Sequence, residues 1–487
     1  LRSKFSLFVR FLVLVLRSEL FWLYQINLNL WYDLWMKIKL YRSSTVGLNL
    51  SGYKLLMDPW LTDGEYYGSW SHYPYYDLDK NINEINSYNA IYISHIHPDH
   101  CSDDTLKKIS KEIPIYIHSY HSKFLKLKLE RIGFKVIELE NNKRTKLDKN
   151  AYLNIFAADN CNPELCFKFT GCADFTAKEG ISQQIDTLSI IDDWKNVLMN
   201  VNDCPIELAQ STFNDIKKQY EKINVLLTGY GGAGPYPQCF ENLNLEEKIT
   251  AAQSKEKQFL NQAIKYIDEI KPDYYLPFAG TYTLTGKLSN LQSLRGVSSI
   301  DNAYNFFENY YSSKNLSNSI RPLKLNTDST FDLNIKEYDK DYQKINYDEY
   351  QSYIDLELSN KLLIYEKDEI PSFDEIYELS KKAHQKFLDK MLINNINLKS
   401  DIFVKVNGKS LMLGKDKNLL VVKSDEINQK SKKYVRYETD IRLLKRLLMG
   451  PRYAHWNNAE IGSHLKFFRK PNTFERDIYR SMVYFHC

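Results

Sequence analysis

The sequence predicts an α/β fold, because short apolar runs alternate with segments of helical periodicity over residues 36–300. Three observations carry this prediction. Residues 36–58 contain two alternating runs joined by a turn at Ser51-Gly52, and the apolar run 88–94 has the length of a buried strand. The segments that follow alternate between strand and helix patterns. Strands separated by helices are typical of a layered α/β domain.

Composition places the chain among globular proteins. Of its 487 residues, 43% are hydrophobic and 26% charged, which excludes collagen-like, wholly disordered and polytopic membrane classes. The net charge of +4 is close to balance and does not indicate a nucleic-acid binder. The cysteines are few and odd in number, seven in all, which favours free thiols in a reducing compartment. We therefore expect a cytoplasmic protein.

The first 35 residues differ from the rest of the chain. Their apolar run, 5–16, is interrupted by Arg10 and is shorter than the about 20 residues that a spanning helix needs. Three interpretations stay open: an interfacial anchor that would contact a membrane, a docking helix, and sequence translated ahead of the true start. We favour the third, because Met36 is the first methionine and begins a clean strand pattern. Residues 1–35 are thus interpreted as an extension.

The remaining elements divide the chain into a catalytic domain at 36–300, a connector at 301–370 and a small α+β domain at 371–487. After the opening hairpin the pattern predicts helices at 103–111, 121–132 and 246–270, and strands at 113–117, 135–139, 225–228 and 274–276. The connector is rich in Asn, Asp, Ser, Lys and Tyr. The last domain has a helix at 373–392 and a hairpin that turns at Asn407-Gly408, a pattern that suggests a sterol-carrier-like module.

A dense group of metal-binding residue types follows the predicted strand 88–94. It reads His95-Ile-His97-Pro-Asp99-His100. Imidazole and carboxylate are ligands suited to zinc or iron. The i, i+2 spacing aims His95 and His97 at one ion, and the turn at proline lets Asp99 and His100 face a second position. We therefore expect a centre with one or two ions of iron or zinc.

This stretch resembles the H-x-H-x-D-H signature of the metallo-β-lactamase superfamily, with a resemblance that covers about residues 36–290. It implies an αββα sandwich of two sheets flanked by helices. It also implies that Asp58, in Asp58-Pro-Trp-Leu, orients the metal loop from behind. In Asn202-Asp203-Cys-Pro, Asp203 corresponds to a metal ligand, so Asp99 and Asp203 are the candidate catalytic carboxylates.

Two histidines of that superfamily have no counterpart here. One position corresponds to Asn162, with Asp159 nearby, and the other falls in Leu276–Tyr282, which contains no histidine. In these departures the chain resembles the CMP-N-acetylneuraminate hydroxylase family. Phe-Ala-Gly at 278–280 and the tail at 454–462 of this sequence are similar to segments of that family. The resemblance implies O₂-dependent hydroxylation, at iron, of a small molecule, namely a nucleotide-linked or polysaccharide-pathway sugar.

The same family holds a Rieske cluster through C-x-H and C-x-x-H motifs, and this sequence contains neither. We therefore expect electrons from a separate electron-transfer protein. Two reactions stay open for the centre itself. An oxygenase would use two histidines and Asp203 as a facial set on iron. A hydrolase acting on an ester or phosphodiester would use zinc to lower the pKa of bound water, with Asp99 or Asp203 orienting that water. The reduced ligand set favours the oxygenase.

The glycine-rich loop 229–237 has two interpretations. Its glycines expose backbone N–H groups that suit a phosphate, but the same composition is typical of a turn between strand and helix.

A degenerate, non-catalytic scaffold is a third functional hypothesis. It is disfavoured because burying intact ligands without a metal is costly.

Overall fold

The computed structural model describes residues 35–157, 187–414 and 419–487. The predicted extension therefore lies outside the described residues except for Trp35, and Asp159 and Asn162 lie outside them as well. The strands of the first 338 residues, numbered in chain order, are β1 (Met36–Arg42), β2 (Thr45–Leu50), β3 (Tyr53–Met57), β4 (Trp70–His72), β5 (Ala90–Tyr92), β6 (Ile115–His118), β7 (Val136–Leu139), β8 (Thr145–Asp148), β9 (Ala151–Ala157), β10 (Thr187–Asp192), β11 (Val197–Asn200), β12 (Val225–Gly229), β13 (Tyr274–Phe278), β14 (Tyr282–Leu284), β15 (Arg321–Pro322), β16 (Ser329–Asp332) and β17 (Glu337–Tyr338).

These strands form two large sheets and a small ribbon. The first sheet has eight strands in the order β17-β16-β1-β2-β3-β5-β6-β7, and the second has seven in the order β15-β13-β12-β11-β10-β9-β8. Both are mixed: β3, β5, β6 and β7 run parallel, as do β11, β12, β13 and β15. The ribbon pairs β4 with β14. Parallel strands buried on both faces are continuously apolar, which explains why the sequence pattern revealed them.

Helices cover the outer face of each sheet. The helices of this region, in chain order, are α1 (Glu65–Gly68), α2 (Leu78–Ile85), α3 (Asp103–Lys108), α4 (Phe124–Ile132), α5 (Ile206–Gln219), α6 (Leu245–Ile270), α7 (Ile300–Ser313) and α8 (Tyr347–Tyr353). Leu106 and Leu129 pack on the first sheet, and Phe213 and Ile264 pack on the second. Between the sheets lies a separate core that includes Leu55 of β3 and Leu227 of β12. This order of layers confirms the predicted αββα sandwich.

The segment predicted as a connector, 301–370, contributes regular elements to both sheets. α7 packs on the second sheet through Phe307, and β15 pairs with β13. β16 extends the first sheet by pairing with β1, and β17 pairs in turn with β16. β15 and β17 are edge strands of two residues each, and β16 is a four-residue strand next to the edge. Their polar composition therefore reflects solvent contact on one side rather than irregular structure.

The C-terminal region is an α+β domain, which confirms that part of the predicted fold class. Its elements are α9 (Phe373–Ile393), β18 (Asp401–Val406), β19 (Lys409–Leu413), β20 (Leu420–Lys423), α10 (Ile427–Lys430), β21 (Tyr434–Glu438), α11 (Ile441–Met449), α12 (Trp456–Ile461), β22 (Lys466–Lys470) and α13 (Arg476–Met482). The five strands form one sheet in the order β20-β19-β18-β21-β22. Phe387 of α9, Leu444 of α11 and Ile478 of α13 share its core.

The loop after β12 forms backbone hydrogen bonds with β22 of the C-terminal domain. The Phe467 N–H donates to the Cys239 carbonyl at 2.9 Å, and the Glu241 N–H donates to the Phe467 carbonyl at 2.7 Å. A Cβ on Gly231 would lie 2.8 Å from Val297, and one on Gly232 would lie 1.9 Å from the Phe259 ring. These two glycines therefore permit close packing, which favours the turn interpretation of the loop over the phosphate one.

Among the residues that the structure describes, none of the helices combines the length and apolar character needed to cross a membrane.

Glu460 of α12 gives a prediction about pH. Burial raises the pKa of its carboxyl to about 8, from an ordinary value of 4.5. Between these values the folded protein holds a proton that the unfolded chain releases, so the free energy of unfolding falls as the pH rises through this window. We expect Glu460→Gln to raise the Tm at pH 8 and to leave it nearly unchanged at pH 5. Glu378→Gln, at an exposed carboxyl, is the control. An equal Tm shift at both pH values would contradict the prediction.

Candidate metal centre

Asp58 forms the buried base of the candidate centre. It follows β3 in the left-handed conformation, with φ of 45°, and its side chain is fully buried. One carboxylate oxygen accepts the Ser94 N–H at 2.7 Å, and the other accepts the Ser94 hydroxyl at 2.8 Å and lies 2.8 Å from His100 Nδ1. A carboxylate that accepts a hydrogen bond from the Nδ1–H group directs the other ring nitrogen, Nε2, toward the metal position. Asp58 thus lies behind His100, and the orienting role that the resemblance implied stays a prediction.

Three predicted ligands converge in front of Asp58. His100 Nε2 lies 3.3 Å from Asp203 Oδ1, and His95 Nε2 lies 3.6 Å from Asp203 Oδ2. One ligand atom from each of the three residues lies within 4.8 Å of the other two. The separations of 3.3 and 3.6 Å are of the size expected for two atoms that each bind one ion at about 2.1 Å. His100 Nε2 is also buried without a hydrogen bond of regular geometry to any residue of 35–157, 187–414 or 419–487, which a bound metal would explain. The residues therefore fit a metal ion.

Strand ends on both sheets bring these ligands together. His95 comes shortly after β5, and Asp203 comes shortly after β11. The Asp203 turn is closed by Asn202, whose φ is 47° and whose side-chain amide donates to the Thr187 carbonyl at 2.7 Å. On the other side, the Ser102 hydroxyl accepts the Thr105 N–H at 3.1 Å and so begins α3 directly after His100. The two halves of the site are thus held by separate sheets.

His97 and Asp99 flank this group. His97 Nδ1 lies 2.9 Å from His95 Nε2, and Asp99 Oδ2 lies 3.7 Å from His100 Nε2. Neither residue falls in the compact group that His95, His100 and Asp203 form. Their roles as ligands, and that of Asp99 in catalysis, stay predictions.

The charges of the site act strongly on one another. Burial alone would lower the pKa of His100, but the carboxylates of Asp203, Asp58 and Asp99 hold it well above its usual value. Burial would raise the pKa of Asp203, but His100 and His95 hold it well below the usual range. For Asp99 burial dominates and the pKa is raised. A cation is therefore favoured beside Asp203, whether it is a proton on His100 or a metal ion.

Two residues near the centre had no role in the sequence interpretation. The Tyr66 hydroxyl donates to Asp99 Oδ1 at 2.5 Å. His455 of the C-terminal domain is close enough that its charge contributes to lowering the pKa of His97, after burial, His95 and His100. Tyr66 carries no sequence signal beyond its place after the Asp58 motif. His455 lies in the tail segment that carried the family resemblance, where a histidine could have been considered.

No protein-family profile matches this chain. Among curated proteins, cytidine monophosphate-N-acetylneuraminic acid hydroxylase of Danio rerio is 25% identical over 238 residues, which are 47% of this chain and 35% of the relative. The protein of the same name from Xenopus laevis is 26% identical over 243 residues, which are 48% of this chain and 36% of the relative. The chain therefore spans little more than a third of the length of these relatives.

Several solved structures are similar to this one. CmlA, a diiron β-hydroxylase from Streptomyces venezuelae, has a TM-score of 0.39 and 14% identity, and the match covers 61% of this chain and 54% of CmlA. YhfI from Bacillus subtilis, a metallo-β-lactamase fold protein, has a TM-score of 0.34 and 12% identity, with 61% and 98% covered. This chain is thus similar over about half its length to the CMP-N-acetylneuraminic acid hydroxylases, and proteins of the metallo-β-lactamase fold are among its structural neighbours.

Proposed function

We propose that the protein is a metal-dependent hydroxylase that uses iron and O₂ to oxidise a nucleotide-linked or polysaccharide-pathway sugar. The observation that carries the proposal is the group of two imidazoles and one carboxylate formed by His95, His100 and Asp203, with Asp58 behind it. Such a set leaves positions open for O₂ and substrate when it holds iron(II). The curated relatives, which are named as hydroxylases, support the same reaction class.

The protein's own side chains prepare this site. Asp58 holds His100 with the proton on Nδ1, so that Nε2 is available for the metal. The Asp203 side chain is 38% exposed, whereas those of His95 and His100 are fully buried. In a hydroxylation, one oxygen atom enters the substrate and the other leaves as water, which requires two electrons and two protons. We propose that a separate electron-transfer protein supplies these electrons.

We propose that a cavity of about 560 Å³, separate from the centre, holds a part of the substrate that is remote from the reacting carbon. Its wall includes Tyr282, whose ring stacks on Trp70 at 3.5 Å. Trp70 packs in turn on Tyr66 at 4.4 Å, and the Tyr66 hydroxyl donates to Asp99. Two aromatic rings thus separate this wall of the cavity from the carboxylate beside the centre.

The lining of the cavity suits a hydroxylated ring that carries a negative charge. Tyr347 and Tyr350 present aromatic surface. Within the part of the chain that the structure describes, the hydroxyls of Tyr230 and Ser298 are buried without a hydrogen-bond partner, so a ligand hydroxyl would satisfy them. The Arg295 guanidinium, which donates to the Tyr282 carbonyl at 2.6 Å, is the group suited to an anionic substituent. A sugar acid or a sugar phosphate has these properties.

Metal content and product mass test the proposal. We expect the full chain, purified without oxygen, to bind iron and to add one oxygen atom to cytidine monophosphate-N-acetylneuraminic acid when iron(II), O₂ and a chemical reductant are supplied. Metal analysis and mass spectrometry of the product are the measurements. Stoichiometric zinc without iron, together with an unchanged substrate mass, would overturn the hydroxylase and favour the zinc hydrolase.

A further inference from the structure

Two consecutive tyrosines adopt a strained conformation beside the centre. Tyr66 and Tyr67 of α1 have φ values of 50° and 61°, in the left-handed region that favours glycine. This conformation costs about 1–2 kcal/mol per residue for other amino acids, so surrounding contacts must stabilise it. Within the turn, the Gly68 N–H donates to the Gly64 carbonyl at 2.8 Å. The Ser69 hydroxyl also donates to the Tyr66 carbonyl, at 2.9 Å. Further contacts that hold the turn come from the C-terminal domain and the segment leading to it.

His464 is the first of these contacts. Its Nε2 lies 2.6 Å from the Tyr66 carbonyl, and its Nδ1 lies 3.1 Å from the Tyr365 hydroxyl. A carbonyl can only accept, so Nε2 carries the proton and donates to Tyr66, and Nδ1 accepts the hydroxyl of Tyr365. The His464 side chain is buried, and burial lowers its pKa to about 4, which keeps the imidazole neutral.

The backbones of the two regions also approach closely. The His455 N–H donates to the Tyr67 hydroxyl at 2.6 Å. A Cβ on Gly462 would lie 2.9 Å from the Ser69 hydroxyl, and one on Gly68 would lie 3.1 Å from the Ile364 nitrogen. Glycine at both positions thus allows the turn to pack directly against the C-terminal domain and the segment before it.

On its other side the turn contacts the metal centre. The Tyr66 side chain is 3% exposed, and its hydroxyl donates to Asp99 Oδ1. With Oδ1 bonded to Tyr66, the other carboxylate oxygen, Asp99 Oδ2, lies 3.7 Å from His100 Nε2. We propose that His464 is a positioning residue: it holds the Tyr66–Tyr67 turn so that the Tyr66 hydroxyl orients Asp99 toward the metal. The C-terminal domain is therefore part of the catalytic machinery. The inference rests on the proposed metal centre.

Cobalt(II) binding to the full chain tests this inference, because the visible spectrum of Co²⁺ reports the geometry of its ligands. We expect His464→Ala and Tyr66→Phe to change that spectrum and to weaken Co²⁺ binding by about 10-fold, the lower end of the range for groups that act on ligands. His464→Gln should restore the wild-type values, because a side-chain amide N–H can donate to the Tyr66 carbonyl. Tm measurements on the same samples separate these changes from loss of folding.

A matched control is His384→Ala, which removes another buried histidine of the same domain, bonded to the Gly414 carbonyl at 3.3 Å. A wild-type spectrum and affinity in Tyr66→Phe would overturn the inference. This variant keeps the ring that packs on Trp70, so it remains a test even if His464→Ala does not fold. An equal change in His384→Ala would also overturn it. If the wild-type chain binds no Co²⁺, the proposed metal centre itself fails, an outcome distinct from the others.

Discussion

We expect His100→Ala to weaken metal binding by at least about 100-fold, because substitutions of groups that only orient ligands already cost 10–100-fold. His100 contributes one of the three ligand atoms that lie within 4.8 Å of one another. Its loss also leaves the fully buried Asp58 carboxylate without the imidazole that now lies 2.8 Å from one of its oxygens. The variant should therefore lose its metal during purification and lose the proposed hydroxylation with it.

Metal analysis of the purified variant and a Zn²⁺ or Co²⁺ titration measure the effect. Asp203→Asn should behave in the same way, because it removes the charge that lies between the two imidazoles. His384→Ala, remote from the centre in α9, should keep the wild-type metal content. Full metal occupancy in His100→Ala would show that the three ligands do not form the site.

The second large effect concerns stability. Arg42, at the end of β1, has a side chain that is 1% exposed, and its Nη2 donates to Asp63 Oδ1 at 2.8 Å. Burial would raise the pKa of Asp63, but His72 and Arg42 hold it well below its usual range. Removing one partner of a buried ion pair leaves an uncompensated charge, which costs about 3–5 kcal/mol. We expect Asp63→Asn to lower the free energy of unfolding by that amount.

Urea unfolding of the full chain is the measurement. The control is Asp79→Asn, which removes the partner of Lys108 at 2.7 Å, a pair in which both side chains are exposed. A surface pair of this kind contributes at most about 1 kcal/mol. Equal losses in the two variants would contradict the idea that burial decides the effect.

Burial on both faces explains which strands could be predicted. β12 and β13 lie inside the second sheet, so their sequences are almost continuously apolar and were predicted. β16 is a four-residue strand near the edge of the first sheet, and its Ser-Thr-Phe-Asp sequence alternates between buried and partly exposed side chains. Such a short polar segment resembles a loop, which is why residues 301–370 were predicted as a connector. β21 and β22 were missed because basic side chains interrupt their apolar pattern.

The candidate site divides in a similar way. His95, His97, Asp99 and His100 are neighbours in the chain, so one local motif revealed them. Asp203 lies on the other sheet, and the family resemblance was needed to connect it with them. Tyr66 and His464 meet only because the two domains pack together, and no local pattern encodes that contact. Asp159 and Asn162 lie outside the described residues, so their interpretation stays a prediction.

The pairing of β1 with β16 has a consequence for how the chain is made. Lys37 lies opposite Asp332, so roughly 300 residues of synthesis separate the two strands. At translation rates of about 5–20 residues per second, the outer edge of β1 waits about 15–60 s for its partner. Lysines on a strand edge discourage pairing with other chains during such a delay. Lys37 and Lys39 provide this protection, and both later form ion pairs, with Asp332 at 3.3 Å and Asp328 at 2.7 Å. The two lysines that discourage pairing with other chains during synthesis thus form ion pairs in the folded protein.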